Sequence, residues 1–448
     1  MLDKSIKPPT VFTPLRDGMV LRNASTQDQE ALADLLSHVH ASPTGEANNG
    51  VRAWQRDLFS LGHPTLSPAD MLVVEDTEKG ILASSFLIIP QTWSYGGIPL
   101  GVSLLELAAT HPDYRGRGLL RKQLEVLVAG STRRGDLIQG MTDVLFFKDD
   151  IGFLPGVTQR AGRGGHTRDL LQTQSRHVDL RPARIEDVPF LAAVENQARE
   201  RALLSCMRND EQWRHELQGH SVESMIHNDI RVIELGQEPI GFLVLGYGGI
   251  PSFPIPSWLP GRPCPENVVS VTRFEIMRGK PWHDVTFSVL DQLTAHMDGY
   301  MLWLGTEHPT YNILGTLLVR NPPRIGWFLR VPDMVALLQA VTPVLENRLR
   351  GTAAESFSGQ LRLSLYNHGI EIRFSEGSII DVNGWPSHNR RDSDASLPTQ
   401  MFQQLLFGQA AWEELEHAFP DSRVHTNLAK LLIPVLFPKM NSDIWPFL

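Results

Sequence analysis

The segment from Leu104 to Leu120, LLELAATHPDYRGRGLL, combines residue types that could bind an anionic phosphate. An apolar run interrupted only by Glu106 leads into His111-Pro112-Asp113, and helical spacing of leucines begins after Gly118. This order predicts a strand, a tight loop and a helix. Two glycines beside two arginines at a helix start expose several unpaired backbone N–H groups, which favours phosphate binding. A glycine-containing connection with a solvated basic turn is the alternative.

The string THPDYRGRGLLRKQLE resembles the acyl-CoA-binding segment of the GCN5-related N-acetyltransferases (GNATs). The matching core is Arg115-Gly116-Arg117-Gly118-Leu119-Leu120, in an R-G-x-G-L form of the superfamily motif. The resemblance implies that acetyl-CoA is the co-substrate and that the amides of this core hold its pyrophosphate. It also implies that pantetheine runs beside the strand edge formed by Ala108, Ala109 and Thr110. Other nucleotide motifs fit less well, because the chain has neither G-x-x-x-x-G-K-(S/T) nor a full G-x-G-x-x-G within a βαβ unit.

Length and composition limit the classes of protein to which the chain can belong. With 448 residues, 42% of them hydrophobic, two or three domains with substantial cores are expected. A net charge of −9 argues against a general nucleic-acid binder and fits cationic or neutral small partners. Two cysteines, Cys206 and Cys264, exclude a disulfide scaffold, favour a reducing compartment and lack metal-site spacing. Since no signal core or membrane-spanning run is found, a cytoplasmic protein without a membrane partner is expected.

The chain in order predicts an irregular arm over residues 1–18 and a first folded unit over residues 19–165. Within that unit a strand and a helix precede a hairpin between Met71 and Ile89, then the strand that leads into the phosphate-binding loop. A long helix and another strand follow, and a short helix is expected between Phe146 and Phe153. This order fits an acetyltransferase core.

The next part of the chain looks like a degenerate internal repeat of the first unit. Val178 to Ala183 and the helix after it echo Val20 to Ala24 and its helix, and a second hairpin follows. Val268 to Met277 takes the place of the cofactor-side strand, but the following Arg278 to Trp282, RGKPW, lacks the R-G-x-G turn. The second unit, residues 166–324, is therefore expected to lack a cofactor.

A third unit, residues 325–448, is expected to begin near Trp327-Phe328-Leu329-Arg330-Val331 and to hold strands followed by helices. With Leu405 to Gly408 and the Leu436-Phe437-Pro438 ending, the whole arrangement resembles the Eis-like (enhanced intracellular survival) acetyltransferases. That resemblance implies an α+β fold with mixed sheets, in which two tandem GNAT folds precede a C-terminal sterol-carrier-protein-like domain. It also implies a homo-oligomer, which in that family is a ring-like hexamer.

Acetyl transfer from CoA to an amine needs a bound thioester, a deprotonated amine and a proton for the departing thiolate. Many GNATs donate that proton from a tyrosine, and alignment on Ile151-Gly152-Phe153 places Lys148 at its position. Lys148 either donates the proton, with its pKa lowered by burial, or is a solvated helix residue. The resemblance also implies a catalytic C-terminal carboxylate, which Leu448 would supply; the alternative is an apolar tail packed for stability.

Four further side chains allow two interpretations each. Asp149 and Asp150 could hold a cationic substrate or be solvated, and Trp54 and Trp93 could line an acceptor pocket or belong to the core.

The sequence thus indicates an N-acetyltransferase that transfers acetyl from acetyl-CoA to a primary amine of a small molecule or peptide, by direct attack in a ternary complex. One alternative is a catalytically impaired relative that binds CoA, which the lysine at position 148 suggests. The other is a lipid- or sterol-binding protein, suggested by the last domain. Aminoglycosides, polyamines, peptides and protein lysines all suit an acidic enzyme as acceptors.

Overall fold

The computed structural model describes residues 12–42, 44–60, 62–67, 70–142, 149–158, 162–170, 178–246, 267–305, 307–319, 326–386 and 392–448. Three β-sheets, of nine, six and five strands, organise these residues, and helices pack against the sheets. The fold is therefore of the mixed α/β type.

The first sheet combines seven early strands with two strands from later in the chain. Its members are β1 Phe12–Pro14, β2 Met19–Asn23, β3 Met71–Asp76, β4 Ile81–Tyr95, β5 Ile98–Thr110, β6 Ile138–Met141, β7 Leu154–Thr158, β10 Leu204–Met207 and β15 Gly326–Arg330. The order is β1-β2-β3-β4-β5-β6-β15-β7, and β10 pairs with the end of β4. Only β5 and β6 are parallel neighbours in it.

Helices cover both faces of the first sheet. Helices α1 Gln29–Val39 and α2 Asn49–Ser60 bury an apolar stripe against one face, and α3 Leu119–Arg134 does so against the other. Because both faces are covered, β4 reads as a nearly continuous buried run instead of alternating buried and exposed residues.

The second sheet has the order β8-β14-β13-β12-β11-β9. Its strands are β8 Arg163–His166, β9 Asp179–Pro182, β11 Asn228–Leu235, β12 Glu238–Gly246, β13 Val268–Ile276 and β14 Gly299–Leu302. Its helices are α4 Val188–Arg199, α5 Asp210–Gln218, α6 Trp282–Thr294 and α7 Pro309–Leu314. Here β13 and β14 are the parallel pair, as β5 and β6 are in the first sheet.

One ion-pair triad occurs in both units with the same spacing. In each, an arginine binds an aspartate six residues later and a glutamate 53 residues later, both at 2.7 Å, as in Arg22–Asp28–Glu75 and Arg181–Asp187–Glu234. A shared triad within a shared element order agrees with the internal repeat expected from the sequence.

The third sheet is formed by β16 Gly359–Ser364, β17 Gly369–Ser375, β18 Ser378–Trp385, β19 Ala395–Ser396 and β20 Arg423–Val424, in the order β18-β17-β16-β19-β20. Its helices are α8 Met334–Ala340, α9 Thr342–Leu349, α10 Thr399–Leu406, α11 Trp412–Leu415 and α12 Asn427–Leu436.

Two strands cross the boundaries expected from the sequence. Strand β15, which was expected to open the third unit, lies between β6 and β7 in the first sheet. The reason is apolar burial: Trp327 and Leu329 are almost wholly buried, and the Trp327 ring meets Trp93 edge-on at 5.6 Å. Strand β8 spans residue 165 and pairs along its whole length with β14. Of the short helix expected between Phe146 and Phe153, Asp149–Ile151 forms one 3₁₀ turn, and residues 143–148 lie outside the described residues.

Candidate active site

The parallel strands β5 and β6 stay paired over only three residues. Val102, Ser103 and Leu104 pair with residues 138–140 of β6, which pairs with β15 on its other edge and ends at Met141, while β5 runs on to Thr110. Within the described ranges no strand covers this edge of β5 beyond Leu104. Its main-chain groups can therefore bind an extended ligand that carries amides, as a sheet edge binds an added strand.

A β-bulge bends β5 inside this open stretch. Ser85 faces Ala109 and Leu87 faces Glu106, so that Leu107 and the residue after it both stand opposite one residue of β4. Leu107 has a φ of 52°, a left-handed conformation that costs a non-glycine residue about 1–3 kcal/mol. Bulges re-aim backbone groups beside functional sites. Nothing in the local sequence indicated this one, because leucine has no preference for such a conformation.

The loop after β5 has the geometry expected for phosphate binding. Gly116 and Gly118 have φ values of 78° and 74°, and a Cβ at either position would meet no atom within 4 Å. Glycine is thus required by the backbone conformation and not by crowding. Gly118 is the N-cap of α3, whose first helical hydrogen bond runs from the N–H of Lys122 to the Gly118 carbonyl. The preceding N–H groups at this helix start are free to bind an anion.

Tyr114 fixes this loop to the β3–β4 hairpin. Its buried hydroxyl donates to the Asp76 carboxylate, which lowers the pKa of Asp76, and lies 3.2 Å from the Lys79 ammonium. The Arg117 guanidinium lies over the Tyr114 ring, 4.9 Å from its centroid. The structure therefore brings both sets of expected cofactor-binding residues, 108–110 and 115–120, to one end of the first sheet.

The last residues of the chain are buried against the first sheet. Phe447 is 1% and Leu448 9% exposed, and the Phe447 carbonyl accepts a hydrogen bond of 2.5 Å from Gln91 Nε2. Gln91 Oε1 in turn accepts from the indole N–H of Trp93 at 3.0 Å. Gln91 faces Val102 of β5, and the open edge begins at Leu105, three residues or about 10 Å further along the strand. The tail therefore ends close to the start of that edge.

Three histidines form a cluster beside Phe447, in which the rings of His63 and His215 contact Phe447 and the ring of His220 contacts His215. The ring centroids of His63 and His215 are 4.9 Å apart, those of His215 and His220 4.8 Å apart, and the Phe447 ring lies 4.8 Å from His63. His63 Nδ1 accepts the N–H of Leu66 at 3.0 Å, so its hydrogen is on Nε2, which is buried and has no partner of good geometry. The main chain of the neighbouring residue 448 lies on that side of His63.

These histidines are neutral at physiological pH. Burial, followed by the neighbouring imidazoles, holds the pKa of His63 well below its usual range. Burial and the imidazole of His220 lower the pKa of His215 to about 4, and burial and His227 lower that of His220 to about 4. Three neutral imidazoles can pack against an apolar tail, whereas three imidazolium groups would repel one another.

Acid should therefore weaken the fold around the tail. Between pH 6.5 and 4 the unfolded chain binds protons at these histidines and the folded chain does not, so the free energy of unfolding should fall as the pH decreases through that window. Urea denaturation at pH 7, 6, 5 and 4 measures this, and His220→Phe should flatten the slope more than a change at the exposed His296. A free energy of unfolding that stays constant from pH 7 to 5 would contradict the assignment.

The remaining candidate residues lie in the core, at the surface or outside the described residues. Trp54 and Trp93 are buried in the core, and the Asp150 carboxylate lies 3.2 Å from the Arg121 guanidinium at the surface. Lys148 and Cys264 lie outside the described residues, while the buried Cys206 thiol donates to Gln91 Oε1 at 4.0 Å. In the described ranges no three His, Cys, Asp or Glu side chains are arranged so that they could hold a metal ion, and no helix is both long and apolar enough to cross a membrane.

The equivalent edge in the second unit is filled by the chain itself. Strand β13 leaves β14 after Val271, and His308 Nε2 then donates to the Phe274 carbonyl at 2.7 Å. The buried His308 ring packs edge-on against Trp282 at 5.2 Å, and Trp282 packs on Phe274 at 5.6 Å. Burial lowers the pKa of His308 to about 4.

Several residues of this site carry no sequence signal. Gln91, His63 and Leu107 sit in segments without a motif, and they meet only through long-range packing. The apolar ending Trp445-Pro446-Phe447-Leu448 was the one local feature of the sequence that indicated a docked tail.

Residues 20–140 match the family model described as an acetyltransferase (GNAT) domain, and the match spans β2 to β6 with the open edge and the loop. No curated protein matches the chain in sequence.

Solved structures share the fold over almost the whole chain. A GCN5-related N-acetyltransferase from Kribbella flavida is 16% identical, with a TM-score of 0.65, and the match covers 96% of this chain and 98% of that one. Eis1 from Mycobacterium abscessus is 15% identical, with a TM-score of 0.60 and coverage of 95% and 98%. The N-myristoyltransferase of Saccharomyces cerevisiae, solved with bound myristoyl-CoA, is 12% identical, with a TM-score of 0.50 and coverage of 73% and 85%.

Proposed function

We propose that this acyl-CoA-dependent N-acetyltransferase, whose residues 20–140 match a GNAT acetyltransferase domain, transfers acetyl from acetyl-CoA to a primary amine by direct attack in a ternary complex. The observation that carries the proposal is the open, bulged edge of β5, which ends in the glycine loop at the start of α3. One groove thus offers amide-pairing groups and an anion site, which acetyl-CoA needs together.

In this proposal each part of the cofactor has its own contacts. The N–H groups between Arg115 and Leu120 hold the pyrophosphate, and the edge of Ala108, Ala109 and Thr110 pairs with pantetheine. The thioester then lies at the opening between β5 and β6, and the proposal places the end of the tail there as well. The amine attacks the thioester carbonyl, the C–N bond forms, and the C–S bond breaks to release the CoA thiolate.

Two protons must move in that reaction. We propose that the carboxylate of Leu448, in a protein that ends there, accepts the proton of the attacking amine directly or through water. Its support is the burial of Phe447 and Leu448 beside the open edge. The thiolate takes its proton from Lys148 or from water. Burial lowers the pKa values of His63 and His215, which makes both imidazoles weaker bases than an exposed histidine.

We also propose the Eis-like organisation for the whole chain: two tandem GNAT folds, a sterol-carrier-protein-like third domain and a cytoplasmic homo-oligomer. The repeated ion-pair triad and element order support the tandem part. One cleft of the third unit, about 640 Å³, is lined both by charged side chains, among them Glu413, Arg423 and Lys430, and by apolar ones. No lipid-binding function is proposed from it.

A screen for CoA release tests the activity. The purified protein is incubated with acetyl-CoA and polyamines, aminoglycosides or lysine peptides, and free thiol is measured. At least one class should release CoA at a rate that increases with amine concentration. Acetyl-CoA binding without CoA release from any amine would support the impaired relative instead.

The second unit leads to a prediction of stoichiometry. Because His308 and Trp282 occupy the edge equivalent to the open edge of β5, one acetyl-CoA should bind per chain. Isothermal titration measures the ratio. A ratio of two would show that the second unit also binds the cofactor and would move the candidate site.

A further inference from the structure

Arg208 links the second unit to the C-terminal tail. It follows β10, and its side chain is fully buried. Nη2 donates to the carbonyl of Trp445 at 2.9 Å and to that of Pro446 at 3.2 Å. The guanidinium carbon lies 3.8 Å from the centroid of the Trp445 indole, which is a stacked cation–π contact.

Two buried acids of the second unit fix this guanidinium. Nε donates to Glu216 at 3.1 Å and Nη1 to Glu195 at 2.9 Å, and both carboxylates are 2% exposed. All three nitrogens of Arg208 therefore have partners. Buried ion pairs of this kind seldom stabilise a fold more than well-packed apolar residues would. A role in placing the tail explains them better than a gain in stability.

The tail reaches Arg208 along the free edge of β10. The N–H of Leu203 donates to the Asn441 carbonyl at 2.7 Å, and the N–H of Asp443 donates to the Leu204 carbonyl at 2.8 Å. Arg273, which is buried, forms an ion pair with the Asp443 carboxylate. Since β10 pairs with β4 on its other edge, the tail joins the first sheet through one parallel bridge, between Ser205 and Asp443.

Three successive carbonyls before Leu448 are held by buried side chains. Arg208 binds those of Trp445 and Pro446, and Gln91 binds that of Phe447. We infer that Arg208 is a positioning residue, through which the second unit holds the end of the tail at the opening between β5 and β6. The inference rests on the proposed function, because the placement matters for catalysis only if Leu448 takes part in it.

Replacement of Arg208 by lysine tests the inference. An ammonium keeps the charge but lacks the planar fork that joins two acids to two carbonyls. Misplacement of a reacting group by about 1 Å can cost about 10²-fold in rate, so kcat should fall by up to about 10²-fold while the KM for acetyl-CoA stays within about twofold. Amide hydrogen exchange at residues 444–448 should become faster. Arg181→Lys is the matched control, because Arg181 binds two acids of the same unit without touching the tail.

A double variant separates an effect on the position of the tail from an effect on the stability of the fold. If Arg208 acts through the tail, Arg208→Lys should add almost nothing to the loss of kcat caused by two glycines added after Leu448. Trp445→Leu, which removes the stacked indole, should reproduce the loss of kcat if Arg208→Lys fails to fold. An unchanged kcat with an unchanged exchange rate, or fully additive losses, would overturn the inference. If the unaltered protein acetylates no amine, the proposed function fails, and faster exchange in Arg208→Lys would still support the placement of the tail.

Discussion

Two glycines added after Leu448 should lower kcat by about 10²- to 10⁴-fold, the usual contribution of general acid–base catalysis. The extension moves the carboxylate away from a residue that is 9% exposed beside the open edge of β5. In the proposed site the loop before α3 holds the pyrophosphate, which the extension does not touch, so the Kd of acetyl-CoA should change little. Steady-state kinetics with an identified amine, calorimetric titration and the melting temperature measure the three quantities.

Leu448→Met is the matched control for the extension, because it changes the apolar side chain and keeps the carboxylate in place. It should retain most of the activity. Full activity in the extended protein would exclude the carboxylate from the mechanism and leave water, or Lys148, to handle the protons. A loss of Tm in step with the loss of kcat would mean that the tail is a packing element.

Gly118→Asp should weaken acetyl-CoA binding by about 10²-fold or more. A carboxylate at the N-cap of α3 would face the pyrophosphate, and two like charges about 4 Å apart repel by about 4 kcal/mol at an effective dielectric constant of 20. Calorimetric titration with acetyl-CoA measures the change. Because nothing lies within 4 Å of a Cβ at this position, the variant should fold.

Gly118→Asn isolates the charge in that experiment. Asparagine has nearly the shape of aspartate and tolerates a φ of 74° better than most residues, so both variants share the backbone strain. The difference between their affinities is then the electrostatic part. Equal and unchanged affinity in both folded variants would show that the pyrophosphate binds elsewhere.

The local parts of this fold could be predicted from the sequence. The strand, loop and helix around Gly118 follow from residue spacing within one segment, and the repeat of Arg22 at Arg181 follows a fixed pattern along the chain. These features depend on neighbours in sequence, where hydrophobic periodicity and turn residues are informative.

The parts that join distant segments could not be predicted. Strand β15 alternates buried and half-buried residues like many strands, and nothing local assigns it to the first sheet. Arg208 follows a short strand and has no motif, yet its partners come from α4, α5 and the chain end. His63 likewise meets His215 although the two residues are far apart in the sequence.

The place of β15 has a consequence for biosynthesis. As the chain leaves the ribosome, β6 and β7 are made long before β15, the strand that separates them in the finished sheet. At about 5–20 residues per second the nascent first unit would wait on the order of ten seconds with two unpaired strand edges. Such edges recruit other chains. A truncated gene product that stops before Gly326 should therefore need a chaperone to stay in solution, whereas the full-length chain supplies its own missing strand.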